Sequence, residues 1–214
     1  MHSLPSSHPP VSLAPTSFDV VVIAASYGGI EAIGQVLGGL PADFPIPIIV
    51  VQHLSPLYKS HLAEILDSRT PLTVRWAESG ECIQPGYVYI APPNWHVLVN
   101  KPGVLTLTQT PKVQFTRPSA NPLFESVAMN YQERAIAVVL TGSGSDGASG
   151  VQAIKQHGGR VLVQNVRTSR AFSMPQASLK TGCVDFALSL LTIASALVSV
   201  VMVRGAAEFF FVAR

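Results

Sequence analysis

Charge is scarce in this chain. Of 214 residues, 14 are Lys or Arg and 12 are Asp or Glu, 12% in all, about half the usual share. With a net charge of +2 and no long basic run, nucleic acid is not an expected partner. Cysteine is scarcer still. Cys82 and Cys183 stand far apart without CxxC spacing, which supports neither a disulfide framework nor a zinc site. They read as buried free thiols of a reducing compartment, so a cytoplasmic protein is expected. There is no internal repeat and no GxGxxG after the first apolar run, and the glycine-rich TGSGSDGASG lacks the Gly-Lys-Ser/Thr ending of a phosphate loop. What the chain does have is apolar surface: 48% of its residues are hydrophobic. That is enough to offset ordering entropy and to exclude a disordered chain. The length suits one sizeable domain.

The first stretch, MHSLPSSHPPVSLAPTS, holds four prolines and no apolar core, so it is not a secretory signal. Residues 1–17 read as a disordered lead-in, 18–203 as the folded domain and 204–214 as a tail. From Phe186 to Val203 no charge occurs, a borderline membrane span by length alone. Thr192, Ser195 and Ser199 recur at helical spacing and leave one face mildly polar. A strand end running into a buried terminal helix is therefore expected. The closing GAAEFFFVAR has no account from sequence.

Three uninterrupted β-branched runs stand out: Asp19–Ile23, Ile46–Val51 and Ala135–Leu140. Such runs suit strands buried on both faces, as in a parallel sheet covered by helices. Each is followed by a small or polar cluster and then a helical pattern: IEAIGQVLGGL, LYKSHLAEILDSR and VQAIKQHGG. A fourth unit, Arg160–Gln164, leads to SMPQASLKTG, with Pro175 starting a helix and Gly182 ending it. The fold class is α/β, a doubly wound and mostly parallel sheet flanked by helices. Between these units Tyr87–Ala91, His96–Val99 and Val104–Thr108 read as an antiparallel hairpin or meander attached to the sheet. Asn121-Pro122 then reads as an N-cap and first helical residue for LFESVAMNYQ.

Ligands of open α/β sheets bind beyond the carboxyl ends of the strands. The residues following the three runs are Ser26, His53 and Asp146. A hydroxyl, an imidazole and a carboxylate are what nucleophilic acyl transfer needs: the imidazole takes the hydroxyl proton, and the carboxylate fixes its tautomer. Ser26 lies between a strand and a helix, near the positive end of a helix dipole, with Gly28 and Gly29 allowing a sharp turn. An oxyanion hole is expected from the Tyr27 N–H and donors in the Gly142–Gly147 loop. Each residue also has a plainer reading: Ser26 as a turn or cap residue, His53 as a hydrogen-bonded structural histidine, Asp146 as half of a turn dipeptide with Gly147. Three such groups at equivalent sheet positions weigh against that. His61, His96 and His157 read as structural.

The strings VVIAASYGG, VQHLSP, YIAPPNWHVLV, RPSANPLFESVA, VVLTGSGSDGASG and SMPQASLKTGCVD, in this order, resemble the catalytic domain of the chemotaxis protein-glutamate methylesterase family, CheB, from about Phe18 to Leu190. The resemblance implies that Ser26 is the nucleophile, His53 the base and Asp146 the group that orients it; Tyr27, Gly28, Gly29 and Ser143 are read from their place in the loops as oxyanion or loop support. It implies hydrolysis of glutamyl methyl esters on methyl-accepting chemoreceptors, often joined by deamidation of receptor glutamines. No metal or other cofactor is implied, and the membrane is met only through the receptor.

Three positions depart from the family's pattern. Ala24 and Tyr27 stand in a Gly-Ala-Ser-Thr-Gly-Gly motif where glycine and threonine are usual, and Ser143 replaces a methionine. Tyr27 is expected to add bulk beside the nucleophile. The family's N-terminal receiver domain has no room before the first strand, so control by a separate response regulator, or none, is expected. Two other readings stay open: a non-catalytic receptor-docking module, and a small-molecule serine esterase on the same fold.

Overall fold

A computed structural model describes residues 17–203. Apart from Ser17, the expected lead-in lies outside the described residues, as does the expected tail at 204–214. Seven strands form one sheet in the order β3-β4-β2-β1-β7-β8-β9, every neighbouring pair parallel. They are β1 (Val20–Ala25), β2 (Ile48–Gln52), β3 (Thr73–Trp76), β4 (Tyr87–Ile90), β7 (Ala135–Val139), β8 (Arg160–Gln164) and β9 (Phe186–Leu188). β5 (His96–Asn100) and β6 (Val104–Thr108) form a separate antiparallel pair. The helices are α1 (Gly29–Gly38), α2 (Leu62–Asp67), α3 (Ala120–Tyr131), α4 (Ala148–Gln156), α5 (Ser173–Lys180) and α6 (Leu190–Met202), with a 3₁₀ turn at Gln132–Arg134.

The unbroken apolar runs have the expected cause. β1, β2 and β7 are fully buried along their length, and successive residues feed opposite faces. Val21, Ile23, Ile48, Val50, Ile136 and Val138 face a layer built from α1, α2 and α6. Val20, Val22, Ile49, Val51, Ala137 and Val139 face α3, α4, α5 and the β5–β6 pair. In α6, Ile193, Leu197 and Val201 are buried, whereas Thr192 and Ser195 are exposed. No helix among the described residues is long and apolar enough to cross a membrane.

Four expectations change. Tyr87–Ile90 is not part of a meander: it pairs parallel with β2 and β3, because Tyr89 is fully buried and takes its place in the sheet. The β5–β6 pair is not hydrogen-bonded to the main sheet; it lies against α3 through Val97, Val99 and Leu105. α3 starts one residue before Asn121, with Ser119 at the N-cap position. The cysteines are free but not buried. Cys82 is exposed and Cys183 half-buried, since both fall in connections, Cys82 ahead of β4 and Cys183 after α5.

Candidate active site

β1 lies between β2 and β7, and the chain reverses its direction of travel across the sheet there. Crevices at such switch points hold ligands in open α/β sheets. Register brings the two strand ends together: Ala25 pairs with Gln52, and the N–H of His53 donates to the Ala25 carbonyl at 3.1 Å. Ser26 is tied on its other side by its own N–H to the Thr141 carbonyl at 3.0 Å, just beyond β7. The three sequence-selected residues therefore come from three adjacent strands.

Ser26 sits on a turn that only small residues permit. Gly28 has φ 77°, a left-handed conformation. A Cβ on Gly29 would stand 2.1 Å from Gln52 Oε1 and 2.6 Å from the Ala25 Cβ. Across the turn, a Cβ on Gly142 would stand 2.9 Å from the Ser26 Cβ and 3.0 Å from its nitrogen. The glycine of the β7 loop thus backs directly onto the serine.

His53 and Asp146 touch. His53 Nε2–H donates to Asp146 Oδ2 at 2.7 Å, with the imidazole 15% and the carboxylate 2% exposed. With Nε2 so engaged, the neutral ring keeps its lone pair on Nδ1. Ser26 lines the same cleft as His53, about 300 Å³ in volume. Its hydroxyl makes no hydrogen bond among the described residues. Contact is therefore closed between acid and base and open between base and hydroxyl, a common state of unliganded sites.

Asp146 is the most heavily supported group. Besides His53 it accepts from Ser119 Oγ at 2.6 Å, the Ala120 N–H at 2.7 Å and the Asn121 N–H at 3.2 Å. The N-terminus of α3 thus points its free amides at a carboxylate. Burial taken alone would raise the Asp146 pKa. The His53 and Ser119 hydrogen bonds, with the Ala120 amide, outweigh it and hold the carboxyl below its ordinary value. Asn121 completes the clamp, its Oδ1 accepting the Gly147 and Gly150 N–H groups at 3.0 Å each.

Sequence reasoning missed Ser119 and Gln52, and read His96 as structural. His96 is fully buried; its Nδ1 accepts the Ser119 N–H at 3.2 Å and its Nε2–H donates to the Pro111 carbonyl at 3.2 Å. Burial, the largest influence, lowers its pKa. Gln52 donates from Nε2 to the carbonyls of Ser26 at 2.9 Å and His53 at 3.0 Å, tying nucleophile and base together. A serine just ahead of a helix and a glutamine closing an apolar strand were the available signals.

The supporting loop residues fall differently. Tyr27 is 67% exposed and lines neither of the clefts that border His53. The Tyr27 and Gly28 amides donate to no other residue among those described. The Gly142 N–H is taken by the Ala171 carbonyl and the Gly147 N–H by Asp146 and Asn121; these two loop donors are committed elsewhere. Ser143 is exposed and lines neither cleft. Among the described residues no group of three or more His, Cys, Asp or Glu is placed to hold a metal ion.

A protein-family model described as CheB methylesterase matches residues 21–197. The chain belongs to the CheB methylesterase family. Its fold superposes on the crystal structure of the Thermotoga maritima CheB methylesterase catalytic domain with a TM-score of 0.81 and 36% identity, covering 85% of this chain and 97% of that one. It is 45% identical to a protein-glutamate methylesterase/protein-glutamine glutaminase of Anaeromyxobacter dehalogenans, over 78% of this chain and 49% of that protein. It is 39% identical to one of Caulobacter vibrioides, over 87% of this chain and 56% of that protein. The chain spans about half the length of these two curated relatives, and the CheB likeness covers the catalytic domain.

Proposed function

We propose that this CheB-family chain hydrolyses glutamyl γ-methyl esters on chemoreceptors by a serine mechanism, and deamidates receptor glutamines by the same route. The observation that carries the reading is the direct His53–Asp146 hydrogen bond bordering the cleft that holds Ser26. Ser26 Oγ attacks the γ-carbonyl carbon while His53 Nδ1 takes the hydroxyl proton. The Tyr27 and Gly28 amides, at the N-terminus of α1, meet the developing oxyanion. Collapse breaks the carbon–methoxy bond, and His53 returns its proton to the leaving oxygen, giving methanol and a glutamyl-Ser26 ester. Water, deprotonated by His53, then attacks that ester and releases the carboxylate and the free serine. For a glutamine the first leaving group is ammonia.

Asp146 acts through His53. It holds Nε2 as the protonated nitrogen and stabilises the imidazolium that forms in each half-reaction. The test is release of volatile label from a methyl-labelled receptor cytoplasmic fragment incubated with purified protein. Wild type should release methanol, and Ser26→Ala should lose several orders of magnitude in kcat. Undiminished release by the variant refutes the nucleophile assignment; no release by wild type, with a small ester still cleaved, favours a small-molecule esterase.

A further inference from the structure

The mouth of the site is basic in a chain close to neutral. Two clefts border His53: one of about 300 Å³ lined also by Ser26, and one of about 120 Å³ lined also by Lys112 and Arg117. Their walls carry Arg69, Arg170, Lys112 and Arg117 against one carboxylate, Glu31. Lys and Arg exceed Asp and Glu by only two over the whole chain, 14 against 12, so this excess is local.

The four cations are not equivalent. Arg69 pairs with Glu31 at 3.2 Å. Arg117 is held by Asn94 Oδ1 and by the carbonyls of Gln109 and Thr110, neutral acceptors that fix it without cancelling its charge. Arg170 and Lys112 have no hydrogen bond or ion pair among the described residues. Arg170 is nonetheless positioned: a Cβ on Gly28 would meet its Cβ and Cδ at 2.9 Å each. Its carbon stem therefore lies over the glycine two residues beyond the nucleophile, and the residue lines the cleft that holds Ser26. Clustered unpaired cations repel one another and draw an anion toward the mouth. A neutral methyl ester by itself offers them nothing.

We propose that Arg170 and Lys112, in the two clefts that share His53, recognise carboxylates flanking the reacting glutamyl group, so that the site selects esters set in acidic protein segments. This rests on the protein-ester reading above. A guanidinium receives a carboxylate in bidentate fashion, whereas the lysine acts as a point charge.

The test uses two fluorescent peptides of one sequence, each carrying a single glutamate γ-methyl ester, flanked by glutamates in one and glutamines in the other. Binding to the Ser26→Ala protein is read by anisotropy, without turnover. The acidic peptide should bind about tenfold tighter, roughly threefold for each of the two cations. Arg170→Gln and Lys112→Gln should each remove a share, and about 1 M salt, where screening acts within about 3 Å, should erase the difference. Lys180→Gln, at the far end of α5, should leave the ratio unchanged. Equal binding of the peptides, no measurable binding of the acidic one, or a preference surviving in the Arg170→Gln/Lys112→Gln double variant overturns the proposal. Methanol release from the acidic peptide by wild type reports separately: selective binding without release faults the reaction and leaves the recognition standing.

Discussion

Asp146 takes five donors on two oxygens: His53 Nε2, Ser119 Oγ and the amides of Ala120, Asn121 and Gly147. An asparagine there must aim its NH₂ at one oxygen's partners. On the Oδ2 side it would face the Ala120 N–H and the His53 N–H, so the imidazole must accept at Nε2 and carry its proton on Nδ1. Nδ1 then has no lone pair for the serine. Asp146→Asn should accordingly lower kcat by about four orders of magnitude, the size seen where a triad base is left in the wrong tautomer. Steady-state rates with a methyl-ester substrate check this, and wild-type rates would reduce Asp146 to a turn residue. Ser26, His53 and Asp146 were legible because strand ends are where open sheets expose chemistry. Ser119 and Gln52 were not, because their roles exist only through contacts made after folding; the Ser119–Asp146 bond spans 27 positions.

At the scale of elements, the approach of α3 to α4 sets the carboxylate clamp. Phe124 is fully buried, and a Cβ on Gly150 would stand 2.6 Å from the Phe124 Cβ, too close without moving a helix. Gly150 also gives its N–H to Asn121 Oδ1. Gly150→Ala should cost about 1–3 kcal/mol as an overpacking change, read in denaturant unfolding. It should also lower kcat, because the N-terminus of α3 moves with Ser119 and Ala120. A loss of stability with full activity would mean that the clamp does not depend on this contact. The four strands assigned to the parallel sheet from sequence are those whose runs are buried on both faces. β3 was not, since its Thr73–Trp76 alternates exposed and buried positions over four residues at a sheet edge. β4 was read as antiparallel because short strands separated by turn residues carry no direction in their composition; direction here comes from the crossover between β3 and β4.

Acid probes the whole molecule through two buried groups. The His96 pKa is lowered chiefly by burial and also by the nearby Arg117 charge, against the pull of the Pro111 carbonyl and Asp146. In the unfolded chain it regains a pKa of about 6.5. Below that pH the unfolded chain binds a proton that the folded one refuses, so stability falls. Asp146 has a depressed folded pKa; its contribution is complete above the unfolded value of about 3.9 and disappears as pH drops through the folded one. Denaturant midpoints followed by circular dichroism should therefore decline in two stages, one starting near pH 6.5 and one below about pH 4. His96→Phe should abolish the first and keep the second, and a wild-type curve flat between about pH 5 and 7 contradicts the account. The same geometry bears on how such a centre can be silenced. His53 borders two clefts, so a plug seated in one leaves the other open. Shutting it off calls for a cover broad enough to bridge both mouths, the size of a folded partner rather than of a single loop.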